Sequence, residues 1–358
     1  MKGNSNTKGL DLNLISVYRN ELFGLAIISI ILFHYSYDVW HGVYTARIDI
    51  SVMHGLKYSV LLYYYLIRSI GVELFLFLSG MGLWYSMSEN GDIKHFYKKR
   101  MQRVLIPYLI VSLVFWSARD LYFQDGSLID VIKDTMFITL FTDGTHMIWF
   151  ICLILILYLI FPPIFMMLSD EEHRDLYFAV LIIITIAVPI VYSIIDHDQY
   201  LHTSIATIRI PIFILGCYMG RLIKDHAVMP RTGVMLIISL SMISRLFFLD
   251  NDLSALASRF IAGIYSFGLL LLLVILLHLM RHADRFNYFL GAAGKYSLEL
   301  YIVHVSLRNL VKQTNFNTYD PLVYAIIIAC SVPLAVGLNK LCGYLTESSY
   351  SRHPSLPA

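Results

Sequence analysis

RNELFGLAIISIILFHYSYDVW, residues 19–40, decides how the chain is read. The run is apolar over the length of a helix, opens on Arg19 and carries His34 deep inside. At a rise of 1.5 Å per residue it covers about 30 Å, the thickness of a bilayer's hydrocarbon core, so it reads as a transmembrane helix. The residues before it are mostly polar, and Tyr35, Ser36 and Tyr37 offer no small-residue cleavage site, which argues against a signal peptide. An ionisable side chain inside such a helix costs a few kcal/mol, and it persists mainly where it faces the protein interior or a wet cavity. His34 is therefore the first residue to suspect of chemistry.

Composition extends this reading to the whole chain. Of 358 residues, 58% are hydrophobic and 15% charged, against about half and a quarter in soluble domains. A net charge of +2, with no basic stretch interleaved with stacking aromatics, excludes nucleic acid as the expected partner and leaves membrane lipids. Cys152, Cys217, Cys330 and Cys342 fall in or beside apolar runs without paired spacing. They read as packing residues, and no metal is expected.

Further apolar runs recur at 70–88, 104–121, 147–168, 176–195, 205–223, 232–249, 257–280, 287–309 and 321–343. The expected fold is all-α: a polytopic integral membrane protein of about ten transmembrane helices. Residues 56–70 form an interfacial or tilted lead-in, because with the next run they are too long for one crossing and Arg68 interrupts them. Lys94, Lys98, Lys99, Arg100 and Arg103 concentrate on one side while the opposite loops collect aspartates, which places both termini in the cytoplasm. The expected organisation is a cytoplasmic segment 1–18, a membrane domain 19–345 and a cytoplasmic tail 346–358.

His34 lies ~22 Å along the helix axis from Arg19, in the outer half of the membrane, and Glu73 and His304 fall at a similar depth. Glu73 is a candidate to orient the His34 ring or favour its imidazolium. Arg100 and Arg103, three apart, share one side of a helix and suit a polyphosphate ligand. The alternatives are plain. Cations crowd at cytoplasmic helix ends for topology and lipid headgroups alone. A lone intramembrane His is often a packing residue, Glu73 can pair with a neighbouring Arg, and Trp149 can anchor at the interface. Arg209, just before Pro211, can snorkel, and Lys295 and Glu299, four apart, can neutralise each other.

Six stretches taken in order, RNELFGLAIISIILFH, GVELFLFLSGMGLWYS, KKRMQRVLIPY, MIWFICLILILYLIFPP, IRIPIFILGCYMG and GKYSLELYIVH, resemble successive motifs of the acyltransferase-3 membrane family across residues 19–304. The resemblance implies a bundle of roughly ten helices in a bacterial plasma membrane. Its members move an acyl group, most often acetyl, from cytoplasmic acyl-CoA to a hydroxyl of an extracytoplasmic glycan, lipid-linked saccharide or related surface molecule. By the same likeness His34 is the essential histidine, Arg100 and Arg103 are the R-x-x-R pair that holds acyl-CoA, and His304 belongs to a late motif. The family pattern has an arginine eleven residues before the histidine, where this chain has Phe23; Arg19 stands one turn earlier and is taken as its substitute on the donor side. Trp149, Arg209 and His304 are assigned to acceptor binding. In this scheme a neutral imidazole deprotonates the acceptor hydroxyl as it attacks the thioester. The competing expectation is a proton-coupled transporter or flippase of a glycolipid or small molecule, in which intramembrane His, Glu and Arg would carry protons. A third is a polymerase or ligase of lipid-linked glycans, which would be expected to carry a long outer loop.

Overall fold

The computed structural model describes residues 9–45, 55, 59, 70–145, 147–247 and 255–351. Its elements run β1 (Gly9–Asp11), α1 (Leu14–Val17), α2 (Arg19–Tyr44), α3 (Ile70–Asn90) and α4 (Ile93–Trp116), which continues into a π-helical turn (Ser117–Phe123). Then come α5 (Leu128–Thr135), α6 (Ile138–Thr142), α7 (Trp149–Ser169), α8 (Arg174–Ile195), α9 (His197–Thr207), α10 (Ile210–Lys224) and β2 (Val228–Pro230). The chain ends with α11 (Arg231–Phe247), α12 (Ala255–Leu279), α13 (Asp284–Lys295), α14 (Ser297–Lys312) and α15 (Pro321–Ser351). The protein is an all-α polytopic membrane protein.

Among the described residues, eight helical stretches are long and apolar enough to cross a membrane: Arg19–Tyr44, Ile70–Asn90, Ile93–Phe123, Trp149–Ser169, Arg174–Ile195, His197–Lys224, Phe260–Leu279 and Pro321–Thr346. The sequence reading expected ten. The expected span 287–309 is instead two helices, α13 and α14, which part at Tyr296. The physical reason lies in α14, whose Glu299, His304 and Arg308 are buried: its charged side chains turn toward protein, and the helix is too charged to meet lipid. The expected span 232–249 is represented by the 17-residue α11, with its last two positions outside the described residues. The lead-in 56–70, apart from Ser59 and Ile70, and the end of the tail, 352–358, also lie outside them.

The chain forms two compact units. The first comprises Met1–Ile30, Tyr65–Ile93 and Ile160–Lys295. Within it α3 is buried along most of its length and packs most extensively on α10. The approach requires glycine on both helices: a Cβ on Gly80 would strike the Phe213 carbonyl, and one on Gly216 the Phe77 carbonyl. Small residues that let backbones touch are the usual way to hold helices together where lipid removes the hydrophobic driving force. By contrast α8 exposes Ile183, Val188 and Ile194, as a lipid-facing helix does. A two-stranded antiparallel ribbon, with Leu10 opposite Met229, ties the N-terminal segment to the residues after α10.

The second unit comprises Ile31–Tyr64, Lys94–Leu159 and Tyr296–Ala358. Here α14 packs on α15. Tyr35 and Val39 of α2 close against Tyr324 and Ile327 of α15, and Val303, Leu338 and Cys342 form a second cluster backed by Ile106 and Ile110. Helix α5 begins with a capping box in which Ser127 and Asp130 satisfy each other's exposed groups. It is fixed to α4 where the Tyr108 hydroxyl donates to the Thr135 carbonyl over 2.7 Å.

Candidate active site

The second unit brings two histidines face to face. The rings of His34 on α2 and His304 on α14 stack at 5.6 Å between centroids with 14° between planes. His304 is fully buried, and its Nε2 lies 3.0 Å from the Tyr324 hydroxyl oxygen. That hydroxyl also lies 2.7 Å from the Ile31 carbonyl, to which it donates. A phenol has one proton and a carbonyl can only accept, so the Tyr324 proton goes to Ile31. The Nε2 of His304 must then be the donor to Tyr324, and the lone pair of the neutral ring resides on Nδ1. Among the described residues neither His304 Nδ1 nor His34 Nδ1 has a hydrogen-bond partner, and both atoms are buried. Buried polar atoms are normally satisfied, so two unpaired nitrogens on stacked rings mark a place where another molecule is expected to supply the hydrogen bonds.

One turn beyond each histidine stands a charge. Asp38, four residues after His34, receives a bidentate bond from Arg308, four residues after His304: Nε to Oδ2 at 2.7 Å and Nη2 to Oδ1 at 2.5 Å. Lys312, one turn further, reaches Asp38 Oδ1 at 2.6 Å. Asp38 and Arg308 are buried, while the Lys312 side chain is 34% exposed. One carboxylate thus faces two cations, leaving a net positive charge one helical turn from the histidine pair. The sequence reading did not single out these three residues. The available signal was the shared spacing of four, His34 to Asp38 and His304 to Arg308.

In the other direction along α14, Glu299 lies five residues before His304, or ~7.5 Å along the axis. Arg103 holds it by both oxygens, and Asn339 Nδ2 donates to Oε1 over 2.9 Å. Glu299 is fully buried while the Arg103 side chain keeps 42% of its surface exposed. The bond that Glu299 makes is therefore to Arg103, 196 residues away, and not the local pairing with Lys295 considered from spacing. Arg100, half-buried, precedes Arg103 by three residues on α4. Trp149, expected at the interface, is buried at the start of α7 and lines a small cavity with Trp116 and Asp134. Its neighbour Phe150 meets Tyr301 of α14 edge-on at 5.3 Å.

The remaining candidates lie in the first unit. Glu73 of α3 accepts from Arg209 Nε at 2.8 Å, and Arg209 Nη1 also donates to the Ile205 carbonyl. Both side chains are buried, so Glu73 takes up the arginine pairing weighed above. Arg19 lays its guanidinium over the Phe23 ring at 5.3 Å. Gly82 leaves it room, since a Cβ there would come within 2.8 Å of Arg19 Nη2.

The model of an acyltransferase domain family matches residues 24–340, nearly the whole chain. The chain belongs to the acyltransferase-3 family. No curated protein and no solved structure matches it. In this membrane acyltransferase the matched region includes both stacked histidines, the Arg103–Glu299 pair and the Asp38–Arg308–Lys312 cluster. Arg19 and Phe23, whose ring its guanidinium covers, both lie just before the matched residues.

Proposed function

We propose that this membrane acyltransferase moves an acyl group, acetyl foremost, from cytoplasmic acyl-CoA to a hydroxyl of an extracytoplasmic glycan or lipid-linked saccharide in a bacterial plasma membrane. The observation that carries the proposal is the stacked His34–His304 pair with both Nδ1 atoms buried and unpartnered. In this reading His34 takes the proton of the acceptor hydroxyl as its oxygen attacks the thioester carbonyl, the C–S bond breaks, and the proton passes to the departing CoA thiolate. Such a base contributes about 10²–10⁴-fold in rate. His304, its tautomer fixed through Tyr324, presents a lone pair that accepts from the acceptor and holds it against His34. The positive balance of Arg308 and Lys312 over Asp38 favours the oxyanion that forms as the thioester is attacked.

Arg100 and Arg103 hold the CoA phosphates, as the family resemblance implies. The Glu299 bond keeps Arg103 extended and leaves part of its guanidinium available, but it sets a carboxylate in competition with phosphate. Trp149 serves the acceptor side as an apolar wall next to α14. Glu73, considered above for orienting the His34 ring or favouring its imidazolium, is paired with Arg209 and takes no step in this scheme. The test is mass spectrometry of surface glycans from cells with and without the gene. An ester-linked acetyl that disappears with the protein supports the reading, and unchanged acylation overturns it.

A further inference from the structure

The first unit contains a cavity of about 690 Å³ between α8, α10, α11 and α12, within the ~300–1,000 Å³ range of small-molecule sites. Its walls are apolar, with Ile182, Ile237, Phe260 and Ile264 among them. Its polar end is the Glu73–Arg209 ion pair. The Ser241 hydroxyl, also on the wall, is already bonded to the Ile264 carbonyl. Glu73 is 2% exposed, and its Oε2, unlike Oε1, has no hydrogen-bond partner among the described residues. Ile183, at the cavity wall, is 63% exposed on the lipid-facing side of α8, so the cavity opens where a bilayer molecule can enter.

We propose that this cavity binds a neutral long-chain amphiphile whose hydroxyl donates a hydrogen bond to Glu73 Oε2. The chemistry of the polar end selects the head group. A carboxylate oxygen can only accept, which calls for a donor. Arg209 already balances the charge of Glu73, so an amine head would bring an uncompensated cation into the membrane. A fatty acid or phosphate head would set a second anion against Oε2 without a free countercharge. An uncharged alcohol meets all three conditions, and its chain matches the walls. The site stands apart from the acyl-transfer proposal, since it rests on none of the histidine geometry.

The test uses the whole protein in detergent micelles and a diazirine-bearing long-chain alcohol as photolabel. Hexadecanol, its methyl ether and palmitate serve as competitors. Labelled peptides are expected from α8, α11 and α12, with hexadecanol at least about tenfold more potent than the ether, the scale of one hydrogen bond to a charged group. Gly263 lies on the wall with open space where its Cβ would stand, so Gly263→Phe fills the cavity without striking backbone and should cut labelling at least about tenfold. Ala179→Phe, at the exposed lip, replaces it if that variant does not elute as a folded monodisperse species. Glu73→Gln substitutes an N–H for the bare oxygen and should shift the preference from alcohol toward ether. Equal competition by alcohol and ether, preference for palmitate, or labelling untouched by the filling substitution overturns the proposal.

Discussion

Replacing Tyr324 by phenylalanine deletes one hydroxyl and nothing of the ring's shape. Two hydrogen bonds go with it, one to the Ile31 carbonyl at 2.7 Å and one from His304 Nε2 at 3.0 Å. At a net ~1 kcal/mol for a neutral bond, and ~1–3 kcal/mol for a buried donor left without a partner, the variant should lose about 2–4 kcal/mol of stability. The larger consequence is at the site. With Nε2 unpartnered, the His304 ring is free to place its proton on Nδ1, where it would meet the acceptor as a second donor. Losing a tautomer bias of ~1.4 kcal/mol takes the competent tautomer from about nine-tenths to about half of the population, which lowers turnover about twofold. The expected result is a kcat reduced about twofold with KM for acyl-CoA unchanged, since the Tyr324 hydroxyl bonds to Ile31 and His304 and to neither arginine on α4. Nitrogen NMR of selectively ¹⁵N-histidine-labelled protein checks the cause directly: the wild type should show a bare Nδ1 for His304, and Tyr324→Phe a mixture of tautomers. An unchanged kcat together with an unchanged nitrogen spectrum would refute the hydrogen-bond reasoning.

Asp38→Asn leaves Arg308 and Lys312 facing each other without their carboxylate, and breaking such a buried pair costs about 3–5 kcal/mol; thermal unfolding should show the loss, and adding Arg308→Gln should recover part of it in a double-mutant cycle. Glu299→Gln frees Arg103 from its carboxylate, so the affinity for CoA measured by calorimetry should rise several-fold; an unchanged or weaker affinity would remove Arg103 from the donor site. At the start of α5, the Ser127 amide and hydroxyl hold the Asp130 carboxyl below its ordinary range. Its stabilisation of the cap is therefore complete above the usual carboxylate pKa and is lost as pH falls through the lowered value. Protection of the α5 amides, taken relative to their intrinsic exchange rate at each pH, should fall on acidification in the wild type and lose that pH dependence in Asp130→Asn.

The span of α2 and the place of His34 within it were legible because a membrane helix writes itself as an apolar run and a lone histidine interrupts it. His304 was legible by motif, and its stacking on His34 accords with the similar depth read for the two. The break at Tyr296 was hidden: residues 287–309 count as one apolar run, and only the burial of Glu299 and Arg308 reveals that α14 is turned toward protein. Arg308 and Lys312 were not singled out, since charge counting assigns a side of the membrane and not a partner. Glu299 was matched to Lys295 because the rule of four is local, whereas its bond to Arg103 closes over most of the chain. Glu73 was placed by depth, and depth does not name a partner, which in the structure is Arg209.

The central claim is that the His34 imidazole takes the acceptor's proton. Its most direct measurement is acetyl transfer from radiolabelled acetyl-CoA by purified protein in proteoliposomes, comparing wild type with His34→Ala at equal reconstitution. A base worth about 10²–10⁴-fold predicts that transfer falls by at least a hundredfold while CoA still binds. Transfer at the wild-type rate in the His34→Ala protein would contradict the account.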